Sequence, residues 1–313
     1  MAFLTIITSV KPFIDPHIIT LQRNAFQSWK ALGPDVDIVV VGEEIGLAEV
    51  CQEMNLRRAQ NIRRSPGGTP LVSSIYELGR QASTSPLLAY INADIIVLPD
   101  FLEGARKAAK KYEKFLIVGQ RWDLEVTELI DFFVDGYEAR LLERLQAKGA
   151  RHHRTGSDYF IFPRDCFTGM PDLTVGRSYW DNWMIYWARH NHWPTIDASE
   201  GIQIIHQNHD YSHLPQGQSH HRHPETFENM RLGGGARTAF LLDDTTEKLT
   251  PAGLAPIRPT WKRFWRAVEI FPLLALHSYS LAMVTYGLLH PKLAYRDFRA
   301  WLHDRGAGEN IPI

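Results

Sequence analysis

LLAYINADIIVLPD, residues 87–100, is an apolar run that is interrupted by Asn92-Ala93-Asp94 and closed by a proline and an acidic residue. An apolar run of this kind, without polar alternation, is typical of a strand that is buried on both faces. A helical pattern follows from Asp100 to Lys111. The order of strand, polar residues and helix predicts one unit of a parallel α/β sheet, with Asn92 and Asp94 at the carboxyl end of a central strand.

The same alternation of apolar runs and helical patterns continues on both sides of this unit. Strands are predicted at residues 3–8, 36–41, 115–118, 159–162 and 202–205, and helices at 17–32, 46–54, 69–82 and 179–190. Ligands of doubly wound sheets bind beyond the carboxyl ends of the strands. We therefore expect the binding crevice beside Asn92, Asp94 and the loop that follows Val10.

Length and composition limit the classes of protein to consider. The chain has 313 residues, of which 44% are hydrophobic and 22% are charged, as expected for a globular protein with one large domain and an appendage. The formal net charge of -1 gives no electrostatic reason to propose nucleic acid as a partner. Two cysteines are too few for a disulfide framework or a thiolate zinc site, and the N-terminus reads as a core strand, so we predict a cytoplasmic protein.

Asn92-Ala93-Asp94 is the first group of residues that indicates chemistry. A diphosphate leaving group develops negative charge as its bond breaks, and a divalent cation held by a carboxylate neutralises that charge. Asp94 is placed to hold such a cation. The alternative is that an aspartate after a strand only stabilises a turn.

The second group is Ser178-Tyr179-Trp180-Asp181-Asn182-Trp183, at the predicted start of a helix. A carboxylate at Asp181 could act as a general base on an acceptor hydroxyl, with Trp180 and Asn182 beside the sugar. The alternative is a capping box in which Ser178 and Asp181 satisfy backbone N–H groups and the tryptophans belong to the core.

The third group is HQNHDYSH, residues 206–213, where His206 and His209 follow a strand. Neutral imidazoles bind metals, so these two residues could complete a site that begins at Asp94. A lone histidine is more often a satisfied polar residue, and a histidine-only zinc site is a competing interpretation.

Three smaller groups fit the same crevice. Gly68 and Thr69, within Gly67-Gly68-Thr69-Pro70, could place backbone N–H groups near a phosphate, although the same residues are common in turns. Arg121, Trp122 and Asp123 could bind sugar through hydrogen bonds and stacking, or could form a surface ion pair. Asp158 could accept hydrogen bonds from sugar hydroxyls or cap its loop.

In this order, these motifs resemble the GT-A glycosyltransferase superfamily, particularly bacterial family 2-like proteins, over roughly residues 3–235. The resemblance implies that Thr8, Val10 and Pro12 contact a nucleotide, that Asp94 binds Mn²⁺ or Mg²⁺, and that Asp181 is the base on the acceptor side. Asn92 departs from the family pattern, which often has an aspartate there, and the metal geometry depends on that position.

The resulting prediction is a Rossmann-like GT-A domain over residues 1–235, with a mixed, mostly parallel sheet flanked by helices, followed by a flexible loop and helical tail over 236–313. The expected activity is metal-assisted transfer of a sugar from a nucleotide diphosphate-sugar, a UDP-sugar first, to a carbohydrate or glycolipid acceptor. One rival is a sugar-nucleotide nucleotidyltransferase, which would need a glycine-rich loop where Ser9-Val10-Lys11-Pro12 stands. The other is a non-catalytic carbohydrate or nucleotide-sugar binding protein.

The predicted tail combines aromatic and basic residues, WKRFWR at 261–266, with an uncharged stretch at 270–291. Polar residues interrupt that stretch, which disfavours a transmembrane helix. Two interpretations stay open: an interfacial helix at the inner face of a membrane, and a helix that packs on the catalytic domain or on a second copy in a homo-oligomer.

Overall fold

The computed structural model describes residues 1–209 and 223–306, with the backbone alone from 300 to 306. The second half of the HQNHDYSH motif, from Asp210 to His213, lies outside the described residues.

Strands and helices alternate through most of the described chain. The strands are β1 (Leu4–Ser9), β2 (Val36–Val41), β3 (Arg57–Ala59), β4 (Leu87–Ile91), β5 (Ile95–Val97), β6 (Leu116–Val118), β7 (Trp122–Leu124), β8 (Ala150–Arg151), β9 (Tyr159–Pro163), β10 (Thr195–Asp197), β11 (Ile204–Gln207), β12 (Glu247–Thr250) and β13 (Gly253–Pro256). The helices are α1 (Pro16–Ala31), α2 (Leu47–Glu53), α3 (Val72–Ala82), α4 (Asp100–Lys111), α5 (Tyr137–Lys148), α6 (Trp180–His190), α7 (Pro224–Leu232), α8 (Trp261–Leu274), α9 (Tyr279–Leu289) and α10 (Pro291–Gly306).

The main sheet has nine strands among the described residues, in the order β13-β12-β10-β6-β9-β4-β1-β2-β3. Most neighbours are parallel, while β9 runs antiparallel to both β4 and β6. Two large apolar clusters contain alternate residues of the same strands, for example Tyr90 in one and Ala89 in the other, so both faces of the sheet are buried. The predicted Rossmann-like class with a mixed, mostly parallel sheet is confirmed.

The apolar run at 87–98 is two strands, where the sequence predicted one. β4 ends at Ile91, a turn closes with a hydrogen bond from Ile95 N to Asn92 O, and β5 then joins a second sheet ordered β5-β11-β7-β8. Both strands are almost fully buried, so the apolar pattern continues through the change of sheet. Asn92 and Asp94 therefore lie in the turn where the chain passes from one sheet to the other.

The predicted N-terminal cap is present in one helix and absent from another. At α1, Asp15 accepts hydrogen bonds from His17 N and Ile18 N, as its position before Pro16 predicts. At α6 the cap residue is Tyr179, with φ of 92°, and no side chain caps the helix. The capping box with Ser178 as its cap residue is therefore not formed, although the Asp181 carboxyl still accepts from backbone N–H groups that include Asn182 of the first turn.

The strands after residue 235 depart from the predicted boundary. β12 pairs in parallel with β10, and β13 pairs antiparallel with β12, so residues 247–256 extend the main sheet instead of forming a loop. β12 includes Glu247 and Lys248 and lies next to the edge strand β13, and such short polar strands carry a weak apolar pattern. The helical tail begins only at Trp261.

The tail packs on the domain through one side of α8. Ile270, Leu273 and Leu274 are buried and belong to the same apolar cluster as residues of α6. None of the described helices combines the length and apolar character needed to cross a bilayer.

Candidate functional site

Three predicted metal ligands lie together at the turn after β4. Asp94, His206 and His209 each offer one ligand atom, and these atoms all lie within 4.8 Å of one another. Asp94 Oδ2 is 3.0 Å from His209 Nε2 and 3.8 Å from His206 Nε2. Residues more than 110 positions apart in sequence thus meet at the carboxyl edge of the sheet.

The register of the second sheet produces this meeting. On β11, His206 lies opposite Ile95 of β5 on one side and opposite Asp123 of β7 on the other. The backbone beyond it is fixed by a hydrogen bond from Gln207 N to Asp94 O, at 3.2 Å. Because β5 starts directly after Asp94, pairing of β11 with β5 brings His206 beside that carboxylate.

Asp94 has the negative charge of a metal ligand and an oxygen atom that could bind a cation. Burial opposes ionisation, but the hydrogen bond from His209 and the nearby His206 and Lys11 lower the pKa of Asp94 to about 2. Its Oδ1 is buried and accepts no hydrogen bond from the described residues. A buried carboxylate oxygen without a donor is costly, and a cation would relieve that cost. One carboxylate and two imidazoles fit a transition ion such as Mn²⁺ better than Mg²⁺, which favours oxygen ligands.

Asp123 contacts the Nδ1 side of the His206 ring. Asp123 Oδ1 lies 3.2 Å from His206 Nδ1. Asp123 also accepts a hydrogen bond from Arg121 Nε at 2.8 Å, and its Oδ2 lies 2.9 Å from His152 Nδ1. Burial works against a charged imidazole, yet the contacts with Asp123 and Asp94 raise the pKa of His206. A carboxylate behind an imidazole is the usual arrangement that orients a metal-binding histidine.

Asp158 joins the metal cluster to the other half of the site. Its Oδ1 accepts hydrogen bonds from Asn92 Nδ2 at 2.9 Å and from Arg121 at 2.8 Å. Its backbone carbonyl accepts from Asn92 N at 3.1 Å. The side-chain amide of Asn92 therefore positions Asp158. The GT-A motif that the sequence resembles often has an aspartate at this position.

Asp181 is a half-buried carboxyl beside the loop that carries Asp158. Its Oδ2 lies 4.0 Å from the position that a Cβ would take on Gly156. Burial, aided by the charge of Asp158, raises the pKa of Asp181 to about 6, while the backbone N–H groups of Asn182 and Ser157 oppose the shift. A carboxyl tuned toward neutrality is suited to exchange a proton with a hydroxyl.

The predicted nucleotide loop after β1 is only partly placed to contact a ligand. Thr8 is fully buried, and its hydroxyl donates to Ile91 O at 2.6 Å, so this side chain joins the ends of β1 and β4. Val10 is half-buried against the core, and Pro12 is exposed. Lys11, which lies between them, is close enough for its charge to lower the pKa of Asp94, while its backbone N–H and carbonyl are hydrogen-bonded to the side chain of Gln22.

Gly68 and Thr69 form a turn that is fastened to α7. Gly68 has φ of +84°, and its N–H donates to Ser65 O at 2.9 Å. Thr69 Oγ1 donates to Glu225 Oε2 at 2.8 Å, and Arg177 Nε contacts the same oxygen at 2.8 Å. Among the described residues this turn makes no hydrogen bond or ion pair with the Asp94 cluster, so its role in binding stays a prediction.

Two of the predicted sugar-binding aromatic residues already pack on protein groups. Trp180 is 4% exposed and stacks edge-on against Tyr90 and Phe160, so it is a core residue and offers no face to a sugar. Trp122 is half-buried, with Arg151 over its ring at 5.8 Å. Asn182 donates to Phe240 O at 2.9 Å and to Thr155 O at 3.2 Å, which ties α6 to two loops. The alternative that placed the tryptophans in the core describes Trp180 correctly.

The sequence analysis missed His152 and Glu225. Asp123 and His152 are 29 positions apart, and they meet because β7 pairs with β8 in a register that sets Asp123 opposite Ala150. β8 has only two residues, both exposed, so it leaves no apolar pattern. For Glu225, the signal was the His223-Pro224-Glu225 helix start, which was not connected with the glycine turn.

No protein-family model matches the chain, and neither does any curated protein. Among solved structures, the chain is similar to residues 1–349 of TarS from S. aureus in complex with UDP-GlcNAc, at 13% identity and a TM-score of 0.44, over 74% of this chain and 65% of that one. It is also similar to glucosyl-3-phosphoglycerate synthase from Mycobacterium tuberculosis in complex with Mn²⁺, UDP and phosphoglyceric acid, at 12% identity and a TM-score of 0.47, over 75% of this chain and 80% of that one.

This chain therefore matches slightly less than two thirds of the TarS fragment. Both solved structures hold a uridine nucleotide. At these identities and TM-scores, the likeness gives neither a substrate nor a reaction to this chain.

Proposed function

We propose that this protein is a glycosyltransferase that moves a sugar from a nucleotide diphosphate-sugar, with a UDP-sugar as donor and Mn²⁺ as cofactor. The observation that carries the proposal is the cluster of Asp94, His206 and His209 at the carboxyl edge of the sheet, in which a buried carboxylate oxygen has no donor among residues 1–209 and 223–306. UDP is the nucleotide that the resemblance of the sequence motifs favours. The cytoplasmic location remains a prediction from the sequence.

The cluster supplies the donor half of the reaction. Asp94, His206 and His209 would hold the cation, and Asp123 would orient His206 through its Nδ1 side. A divalent cation bound there supplies positive charge to the diphosphate as its bond to the sugar breaks. Lys11 adds a second positive group from the loop after β1, close enough to act on Asp94.

Asp181 supplies the acceptor half. In an inverting reaction its carboxylate takes the proton of the acceptor hydroxyl while that oxygen bonds to the anomeric carbon and the bond from this carbon to the diphosphate breaks. In a retaining reaction the same carboxylate would orient the hydroxyl. The anomeric configuration of the product distinguishes the two, and a carbohydrate or glycolipid hydroxyl is the expected acceptor.

The proposal is tested by incubating the protein with a panel of nucleotide diphosphate-sugars, with Mn²⁺, Mg²⁺ or chelator, and measuring release of the nucleotide. Hydrolysis of one donor that requires Mn²⁺ and is lost in Asp94→Ala is the expected result. Asp165→Ala is the matched control, because Asp165 is an exposed carboxylate paired with Lys114.

The same assay separates the rival functions. Donor binding by calorimetry without any hydrolysis or transfer would indicate a non-catalytic binding protein. Release of pyrophosphate from a nucleoside triphosphate and a sugar phosphate would indicate a nucleotidyltransferase. Equal hydrolysis by the wild type and Asp94→Ala would contradict the proposed metal site.

A further inference from the structure

The helical tail leaves a large apolar surface uncovered. We call this surface the tail face, and it consists of the large apolar residues of α8 and α9 that are 37% to 77% exposed: Trp261, Phe264, Trp265, Val268, Phe271, Leu281, Val284 and Leu288. The rings of Trp261, Phe264 and Trp265 lie against one another, with centroids 5.4 to 5.5 Å apart, so these three exposed residues form one patch. A large exposed apolar patch on a protein usually marks a surface that binds a partner or a membrane.

Helical spacing gathers these residues on one side of each helix. On α8 they recur at intervals of three and four positions, while Ile270, Leu273 and Leu274 pack on the domain from another side. On α9, Leu281, Val284 and Leu288 lie at the same intervals, with Ala282 and Tyr286 buried. The inward sides of α8 and α9 already supply the apolar contacts that pack the tail. The side chains of the tail face are therefore not required for folding.

The charges around the tail face are mostly positive. Residues 257–313 contain eight Lys and Arg but four Asp and Glu, in a chain whose net charge is -1. Five cationic residues of the described tail are exposed: Arg258, Lys262, Lys292, Arg296 and Arg299. Of these, Lys262 forms an ion pair with Asp243 of the domain. The two acidic residues there are half-buried and paired, Glu269 with Arg266 and Asp297 with Arg296.

We propose that the tail face binds an anionic lipid surface, with α8 and α9 lying in the plane of the headgroups. Aromatic and aliphatic side chains enter the boundary of the acyl chains, and the surrounding cations contact the anionic headgroups. Tryptophan suits this boundary because its ring is apolar and its N–H is polar.

Charge also argues against a second copy of the chain as the occupant. In a two-fold dimer the same patch meets itself, so exposed cations around the patch would face the cations of the other copy. Like charges across an interface are unfavourable, whereas an anionic bilayer attracts all of them together.

The experiment is flotation of the full chain with vesicles of phosphatidylcholine alone and with added phosphatidylglycerol. We expect binding to the anionic vesicles only, and weaker binding at about 1 M salt, where the Debye length falls from about 10 Å to about 3 Å. The pair Lys292→Gln and Arg299→Gln should weaken binding about fivefold per charge. This test is independent of the proposed glycosyl transfer, because it needs no turnover.

A second pair of variants tests the apolar contribution. Trp261→Ser with Leu288→Ser should lower the vesicle partition coefficient at least tenfold, because both side chains are more than 70% exposed and the fold does not need them. The matched control is Phe133→Ser, a 65% exposed aromatic outside the tail, which should bind as the wild type does. Unchanged circular dichroism and melting of all variants verify folding.

Three results would overturn the proposal. The wild type fails to float with anionic vesicles at low salt, or the Trp261 and Leu288 pair floats as well as the wild type. The third is a dimer by light scattering that the same pair converts to monomer without any vesicle binding, which would make the tail face an interface between copies.

Discussion

The site at the carboxyl edge of the sheet and the tail face differ in how their side chains are used. Around Asp94, most polar groups are hydrogen-bonded, but Asp94 Oδ1 and His206 Nδ1 are buried without a hydrogen-bond partner in the part of the chain that the structure describes. On the tail face, the eight large apolar side chains of α8 and α9 are exposed although the inward sides of the same helices are packed. In each region the group that the fold leaves unsatisfied indicates the ligand: a cation for the first, an apolar and anionic surface for the second. The predictions below test whether the two regions act separately.

The largest effect is expected at Asp181. Asp181→Asn should lower turnover by about 10²- to 10⁴-fold while donor affinity stays within about twofold, because a general base acts on the acceptor in the transition state. Vesicle binding should not change. Steady-state kinetics, calorimetry and flotation on one preparation test this, and a proportional loss of donor affinity would place Asp181 on the donor side.

The stability of the same variant gives a second measurement. The pKa of Asp181 is raised to about 6 in the folded protein, so its contribution to stability is present below pH about 4 and is lost as pH rises through 6. Asparagine carries no charge at any of these pH values. The variant should therefore be at least as stable as the wild type at pH 8, whereas loss of a cap would cost about 1 kcal/mol. Denaturant unfolding at pH 5 and pH 8 decides between them.

The next largest effect concerns the metal ligands. His206→Ala and His209→Ala should each weaken Mn²⁺ binding by at least about tenfold, and Asp123→Asn, which only orients His206, by about tenfold as well. Titration of Mn²⁺ followed by electron paramagnetic resonance measures this without turnover. The tail variant with serine at positions 261 and 288 is the control, and a change in its Mn²⁺ affinity would show that the two regions are coupled.

A smaller effect is expected from pH on the wild type. Since Asp181 must be ionised to accept a proton, turnover should fall about tenfold per pH unit below about pH 6. The fall should be absent from Asp181→Asn. If both proteins lost activity with the same profile, a different group would be responsible.

The smallest effect is expected at the start of the tail. Thr260 caps α8 by accepting a hydrogen bond from Arg263 N, so Thr260→Ala should destabilise this helix by about 1 kcal/mol. Hydrogen exchange should become faster in α8 and remain unchanged around Asp94. Faster exchange in both regions would mean that tail and sheet unfold together.

The sequence predicts the positions of site residues better than it predicts their partners. Asp94 and His206 were identifiable because each stands beside a buried apolar strand, and the order of strands and helices sets the edge where ligands bind. The sequence does not reveal that β5 leaves the main sheet, since strands of both sheets are equally apolar. Nor does it show that Asn92 is occupied with Asp158, which depends on the antiparallel pairing of β4 with β9.

Errors in the sequence analysis arise where a local pattern has two physical explanations. Trp180 follows the spacing expected of an aromatic face, but packing on Tyr90 and Phe160 uses its ring in the core. β12 and β13 are stabilised by pairing with β10 and with each other, and not by an apolar pattern of their own. Their polar residues therefore predicted a loop. His152 enters the site through a two-residue strand whose pairing is not encoded in its own pattern.

The register of β11 makes the metal cluster an all-or-none feature. Neighbouring residues on a strand point to opposite faces, so deleting one residue from β11 would replace His206 by Ile205 or Gln207 beside Asp94. Insertions and deletions in β5, β7 or β11 would therefore abolish the cluster in a single step and could not adjust it gradually. Variation among descendants of this sequence should accordingly be confined to substitutions within these three strands, with changes of length confined to the loops between them.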